Sequence, residues 1–296
     1  MRLSVPKEPD GGFKSHCSCG PPPINSDLRT RNETVQFTTE IEGPVAVVGD
    51  LHGQVEQLAA LLDRLHETPQ FEDRWLVFIG DFVDRGPDPK GALDLVTDLV
   101  AHRPKTTAVC GNHDLAMAAA VGLIPTPDYS NWGERWLGHY DSQTTFESYD
   151  APFGDFDELR ARMPERHRQF LAGLPWCVEH PQLLFVHAGL NPNVPFGIQI
   201  RILREKDFTL NRPEWLCAKS LVRVDGPADC PFIVVSGHVQ VPRVELRRRR
   251  ILVDTTGGLG GPLSCVLWPE KQVITSDGEH RSPDAPPSSG SWWKVW

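Results

Sequence analysis

Five short segments of this chain combine glycine with residue types that bind metal ions. They are Gly49-Asp50-Leu51-His52-Gly53, Gly80-Asp81-Phe82-Val83-Asp84-Arg85-Gly86, Gly111-Asn112-His113-Asp114, Val186-His187-Ala188-Gly189 and Gly237-His238. Asp50 and His52 stand two apart, so an extended backbone presents both side chains on one side. Asp81, Asn112, His187 and His238 extend the pool to imidazoles, carboxylates and one amide. Such a mixture suits Zn, Fe or Mn, whereas Mg and Ca prefer shells of oxygen alone. Six donors are too many for one ion with an open position and suit two ions that share a carboxylate. Two ions ~3.5–4 Å apart can hold a bridging hydroxide and clamp the attacking and departing oxygens of an in-line displacement.

The elements around these segments explain how they would meet. Strand-like apolar runs at Val45 to Val48, Trp75 to Ile79 and Thr107 to Cys110 each stop just before one of the first three segments. Between them lie helical spacings, at Gln54 to His66, Gly91 to Val100 and Leu115 to Val121. Alternation of this kind predicts βαβ units in an α/β fold. Further strands are expected at Leu183 to Val186, Phe232 to Val235, Ile251 to Val253, Leu263 to Leu267 and Gln272 to Thr275, the last ones spaced like hairpins. The expected fold is therefore α/β with mixed β-sheets. Its ligands would converge at the carboxyl ends of strands, where open α/β sheets bind. A glycine at each strand end lets the backbone turn there.

In this order the five segments resemble the phosphoprotein phosphatases within the calcineurin-like metallophosphoesterases, over most of residues 45 to 275. The resemblance implies that the sheets form a central sandwich flanked by helices, that Asp50 and His52 bind a first metal ion and that Asp81 bridges to a second. Asn112, His187 and His238 would complete the shells, mainly around the second ion. It makes His113 the general acid that protonates the leaving oxygen, with Asp84 hydrogen-bonded to it. Arg85 would clamp the phosphoryl oxygens, a task for which a planar bidentate donor suits better than lysine. Arg223 and Arg204 are candidates for the family's second phosphate-binding arginine.

Thr145 to Tyr149, Leu203 to Asp207, Val234 to His238 and Asp254 to Gly258 further resemble the Rhizobiales-like phosphatases, a branch associated with phosphotyrosine. Asp114 stands where the serine/threonine branch usually has Glu, and Asp254 is followed by Thr255-Thr256-Gly257-Gly258 rather than by Ser-Ala-Pro-Asn-Tyr. The resulting expectation is a dimetal protein phosphatase using Mn, Fe or Zn and preferring phosphotyrosine. It would hydrolyse phosphate monoesters in one step, by attack of the bridging hydroxide and without a phospho-enzyme. Cys110 is followed by no arginine cradle, so it reads as core. A dinucleoside tetraphosphatase or another small-molecule phosphoesterase is the alternative, since it shares much of the metal core; the complete Asp84-Arg85 pair favours a phosphoprotein or phosphopeptide substrate.

The rest of the sequence bounds this reading. A formal net charge of −9 argues against nucleic-acid or anionic-membrane partners, which need a basic face. The run Arg247 to Arg250 is the local exception and reads as a solvated hairpin tip. Seven irregularly spaced cysteines suit free thiols in a reducing compartment. No apolar leader and no stretch of ~18 apolar residues is present, so an intracellular, cytoplasmic or nuclear protein is expected. Composition predicts a disordered arm over 1–40, a catalytic domain over 41–276 and a flexible tail over 277–296 that ends in tryptophans suited to docking a partner or to folding back onto the body. Within the domain, 123–164 reads as a cap-like insertion whose aromatics pack on one another or on a phosphotyrosine ring.

Overall fold

The computed structural model describes Met1 and residues 35–127, 129–207 and 212–278. The first half alternates as expected: β1 (Val45–Val48), α1 (Val55–His66), β2 (Trp75–Phe78), α2 (Pro89–His102), β3 (Thr106–Ala108) and α3 (Asn112–Ala120). Helix α1 forms because Leu58, Leu61, Leu62 and Leu65 make one buried stripe, with Glu56 in its first turn and Arg64 and His66 in its last. Helix α2 begins at Pro89, and the Asp88 carboxylate accepts the Gly91 N–H at 2.8 Å. Helix α3 starts three residues earlier than its apolar spacing predicts, so Asn112 and His113 lie in its first turn.

The insertion follows as α4 (Trp132–His139), α5 (Gln143–Ser148) and α6 (Phe156–Arg162), before α7 (Glu165–Gly173). Its Trp136, Phe146 and Phe156 rings pack on one another with centroids 5.2–6.2 Å apart. The second half comprises β4 (Val178–Glu179), β5 (Leu183–Phe185), α8 (Phe196–Glu205), α9 (Glu214–Cys217), α10 (Lys219–Val222), β6 (Ile233–Ser236), β7 (Glu245–Leu246), β8 (Arg250–Leu252), β9 (Ser264–Trp268) and β10 (Gln272–Thr275).

Two five-stranded sheets result, ordered β10-β9-β1-β2-β3 and β4-β5-β6-β8-β7. Strands β1, β2 and β3 run parallel in one, and β5, β6 and β8 run parallel in the other. Side chains alternate along each strand. Val45 and Val47 join Val77, Phe185, Val235 and Ile251 in a core shared by the two sheets. Ala46 and Val48 join Leu58, Leu61 and Phe78 in the core beneath the helices. Full burial of such a side chain contributes ~1.5–3 kcal/mol, which holds both sheets in register with their parallel strands ending together.

Two expectations change. Residues 35–40 belong to the body: the Glu179 N–H donates to Thr39 O, and Phe37 meets Phe170 edge-on at 5.3 Å. The arginine run is not a solvated tip throughout, because Arg250 opens β8 and is completely buried. Its Nη2 donates to the carbonyls of Ala188 and Val222, while Arg249 donates to those of Pro227 and Cys230. Backbone acceptors thus replace the solvent that a charge run ordinarily keeps. Residues 2–34 of the expected arm and 279–296 of the expected tail lie outside the described residues.

Candidate metal centre

The parallel strands of both sheets deliver the predicted ligands to one place. Asp50 and His52 follow β1, Asp81 follows β2, Asn112 opens α3 after β3, His187 follows β5 and His238 follows β6. Among the described residues, two groups place their donor atoms within 4.8 Å of one another, namely His52, Asp81 and His113, and Asp81, His187 and His238. Asp81 is common to both. Its Oδ2 lies 3.1 Å from His187 Nε2 and 3.6 Å from His52 Nε2. Asn112 Oδ1 lies 3.1 Å from His187 Nε2 and 2.6 Å from His238 Nδ1.

Asp50 stands in neither group, but one of its oxygens is left over. Oδ2 accepts the His238 N–H at 2.8 Å, whereas Oδ1 is buried without a hydrogen-bond partner. An orphaned buried carboxylate oxygen beside a cluster of imidazole nitrogens is what a cation site needs. The ring nitrogens facing away are committed: His52 Nδ1 lies 2.8 Å from Val83 O, and His187 Nδ1 lies 2.8 Å from Ile79 O. Donation to those carbonyls leaves both Nε2 lone pairs directed at the cluster. The residues therefore fit two metal ions that share Asp81.

Backbone strain concentrates here. His52, Asp81, Asp84, Arg85 and His238 all have φ between +43° and +70°, a conformation that costs ~1–3 kcal/mol per non-glycine residue. Surrounding bonds hold it in place. The Asp114 carboxylate accepts N–H groups from Asp81, Phe82 and Gly111 at 2.7–2.9 Å, tying the second motif to the third. Asp254 accepts those of Thr256 and Gly257, and the Gly257 carbonyl accepts Arg85 Nη1 at 2.9 Å. At Gly258 (φ +72°) a Cβ would meet His52 Cβ at 2.7 Å and Arg85 Cβ at 2.9 Å.

The electrostatics match a site built for cations. Burial, with Asp254 and Asp81 nearby, holds the Asp50 carboxyl well above the carboxylate range. Burial works against the charged form of His187 too, yet Asp81 and Asp50 overcome it and raise the ring to about 10. Asp81 is burdened by burial as well, but the surrounding imidazoles bring it well below its ordinary value. In the metal-free chain a proton on His187 thus substitutes for a cation. That group's folded pKa lies above its ordinary 6.5, so its contribution to apo stability is complete below about 6.5 and is lost as pH rises through about 10. A cation held by these residues would displace the proton. Apparent metal affinity is therefore expected to rise about tenfold per pH unit per proton displaced, across the window from 6.5 to about 10. Titration calorimetry in buffers of different ionisation enthalpy measures the release, and an affinity independent of pH would contradict it.

Beside the cluster lies a cleft of about 420 Å³, lined by Arg85, Arg135, Arg212 and Lys219 together with His113 and Tyr140. His113 Nδ1 is 2.7 Å from Asp84 Oδ2. Burial holds the His113 ring down at about 3, against the pull of Asp81. The candidate arginines for the second phosphate contact lie elsewhere. Arg204 forms a two-pronged pair with Glu179 at 2.7 Å, and Arg223 pairs with Glu245 at 3.3 Å. Neither borders the cleft, because α8 and the end of α10 present them to acidic partners. Arg135 of α4, Arg212 and Lys219 border it instead, and no motif in the sequence marks them.

The sequence profile of the "Calcineurin-like phosphoesterase" family matches residues 43–258, which span every ligand described above. The chain belongs to the calcineurin-like phosphoesterase family. Its members use a dimetal centre, and the two groups here are candidate ligands for one. Among curated relatives, the symmetrical bis(5'-nucleosyl)-tetraphosphatase of Dechloromonas aromatica is 32% identical over 168 residues, which cover 57% of this chain and 51% of that protein. The enzyme of the same name from Glaesserella parasuis is 30% identical over 166 residues, covering 55% and 51%. The chain thus spans about half the length of the curated relatives it matches. Of solved structures, a proposed diadenosine tetraphosphatase shares 23% identity at a TM-score of 0.52, with 81% of this chain and 97% of that one covered. The cold-active protein-tyrosine phosphatase of a psychrophilic Shewanella species shares 16% at 0.54, with 84% and 83% covered. Both likenesses establish the fold. Among the described residues, no helix is long and apolar enough to cross a membrane.

Proposed function

We propose that this chain hydrolyses phosphate esters at the cluster centred on Asp81. The observation that carries the reading is the pair of ligand groups meeting at Asp81, with the His113–Asp84 pair opening on the same cleft. Asp50, His52, Asp81, Asn112, His187 and His238 would hold the metals. Bound there, two ions supply positive charge to the phosphoryl oxygens and make the attacking water more acidic. Arg85 binds the phosphoryl group as it becomes trigonal. His113 delivers a proton to the leaving oxygen, and the Asp84 carboxylate stabilises the imidazolium that must form first. A dianionic phosphate entering the cleft favours that protonated ring.

Two substrate classes follow, each with its own support. A dinucleoside tetraphosphate is favoured by the curated relatives and by the four cations around the cleft, more than one phosphomonoester requires. A phosphotyrosyl protein, as in the Rhizobiales-like branch, is favoured by the intact Asp84–Arg85 pair and by Thr145 of the Thr145–Tyr149 segment bonding directly to Asp84. The comparisons give the dinucleotide more support. Matched turnover of diadenosine tetraphosphate and of phosphotyrosine, phosphothreonine and phosphoserine peptides by the manganese-loaded chain decides between them. Higher kcat/KM on the dinucleotide confirms the first reading, and a clear phosphotyrosine preference replaces it with the second. Absence of turnover on all four would end both.

A further inference from the structure

The insertion 123–164 does more than cover the cleft. Asp84 is fully buried at a φ of +69°, so its carboxylate takes no help from water. Three side chains serve it instead. Its Oδ2 lies 2.7 Å from His113 Nδ1 and accepts Trp136 Nε1–H at 2.8 Å. Its Oδ1 accepts the Thr145 hydroxyl at 2.6 Å, and its own N–H donates back to Thr145 Oγ1 at 3.0 Å. The next residue is held from the same stretch, since the Arg85 N–H donates to Asp141 O at 3.1 Å. One segment from Trp136 to Thr145 thus grips Asp84 and Arg85, two consecutive left-handed residues of the second motif.

We infer that Trp136 and Thr145 are positioning residues that hold the Asp84 carboxylate against His113 Nδ1 and so leave Nε2 as the atom that meets the leaving oxygen. With Trp136 on one lone pair of Oδ2 and Thr145 holding Oδ1, the second lone pair of Oδ2 is left for the imidazole, which fixes the tautomer and the ring plane together. Thr145 reads both the carboxylate and the backbone of Asp84, so it also restrains the left-handed turn. Trp136 and Thr145 are themselves fully buried, and neither lines the cleft. The role deepens the phosphate-ester reading above, and rests on it only for its kinetic consequence.

The test uses the full-length, zinc-loaded chain with ¹⁵N-labelled histidine, the His113 signals being assigned by their absence from His113→Asn. Wild type is expected to show His113 with hydrogen on Nδ1. Thr145→Ser should keep that signature, whereas Thr145→Val and Trp136→Phe should displace or erase the Nδ1–H resonance. An unchanged resonance in both variants would overturn the inference, and Trp136→Phe carries the test should Thr145→Val not fold. Kinetically, Thr145→Val should lower kcat on phenyl phosphate about tenfold or more with KM within about twofold. The loss should be much smaller on 2,4-dinitrophenyl phosphate, whose leaving group needs no proton. Equal losses on both esters would reduce Thr145 to a structural prop. Expected spectra with no wild-type turnover of either ester would sink the proposed function and leave the positioning role standing.

Discussion

Asp81→Asn is expected to lower metal-dependent phosphatase activity by on the order of 10³-fold or more. Asp81 is the residue that both ligand groups share, with Oδ2 within 3.1 Å of His187 Nε2 and 3.6 Å of His52 Nε2. An amide of the same shape keeps the packing and removes the charge that two cations would share. The change also reaches the metal-free chain. Without the Asp81 carboxylate, burial pushes the His187 ring back toward neutrality, because Asp81 is the largest influence raising it. The apo variant should therefore lose the stability that wild type shows below about pH 6.5, and its melting temperature should respond less to pH. Metal content by elemental analysis, alongside turnover, measures both. Undiminished activity would remove the metal-centred mechanism altogether.

His113→Asn should lower turnover by ~10²–10⁴-fold, the usual contribution of general acid catalysis, while both metals stay bound. The structure makes this a sharp question, since His113 lies within donor distance of His52 and Asp81 and packs edge-on against the His52 ring at 4.5 Å. Its Nδ1 is committed to Asp84, as an acid held by a carboxylate would be, but a ligating histidine also bonds outward through its far nitrogen. Metal retention distinguishes the two. Loss of one ion together with activity would make His113 a ligand and move the proton-donating role elsewhere in the cleft.

The convergence of the candidate ligands was legible because they lie at strand ends. Asp50, His52, Asp81, Asn112, His187 and His238 each follow a short apolar run closely, and a parallel sheet brings such positions together whatever the loops do. Most strands were readable for a related reason, as short continuous apolar runs whose residues are buried on both faces. Arg250 was not. Its neighbours in sequence are charged, and its burial depends on carbonyls of Ala188 and Val222 that reach it only after the second sheet forms.

The cleft divides along the same line. By itself the sequence marked the candidate ligand residues and the α/β fold, through residue chemistry and short-range periodicity, while the Asp84–Arg85–His113 constellation came from the resemblance of its motifs to the phosphatases. Tertiary structure alone decided that Arg135, Arg212 and Lys219, rather than Arg204 or Arg223, face the cleft, and that Trp136 and Thr145 grip Asp84 across 52 and 61 residues. Such contacts follow no spacing rule. They exist because the insertion folds back over the second motif, and a buried carboxylate must find its hydrogen bonds wherever packing places a donor.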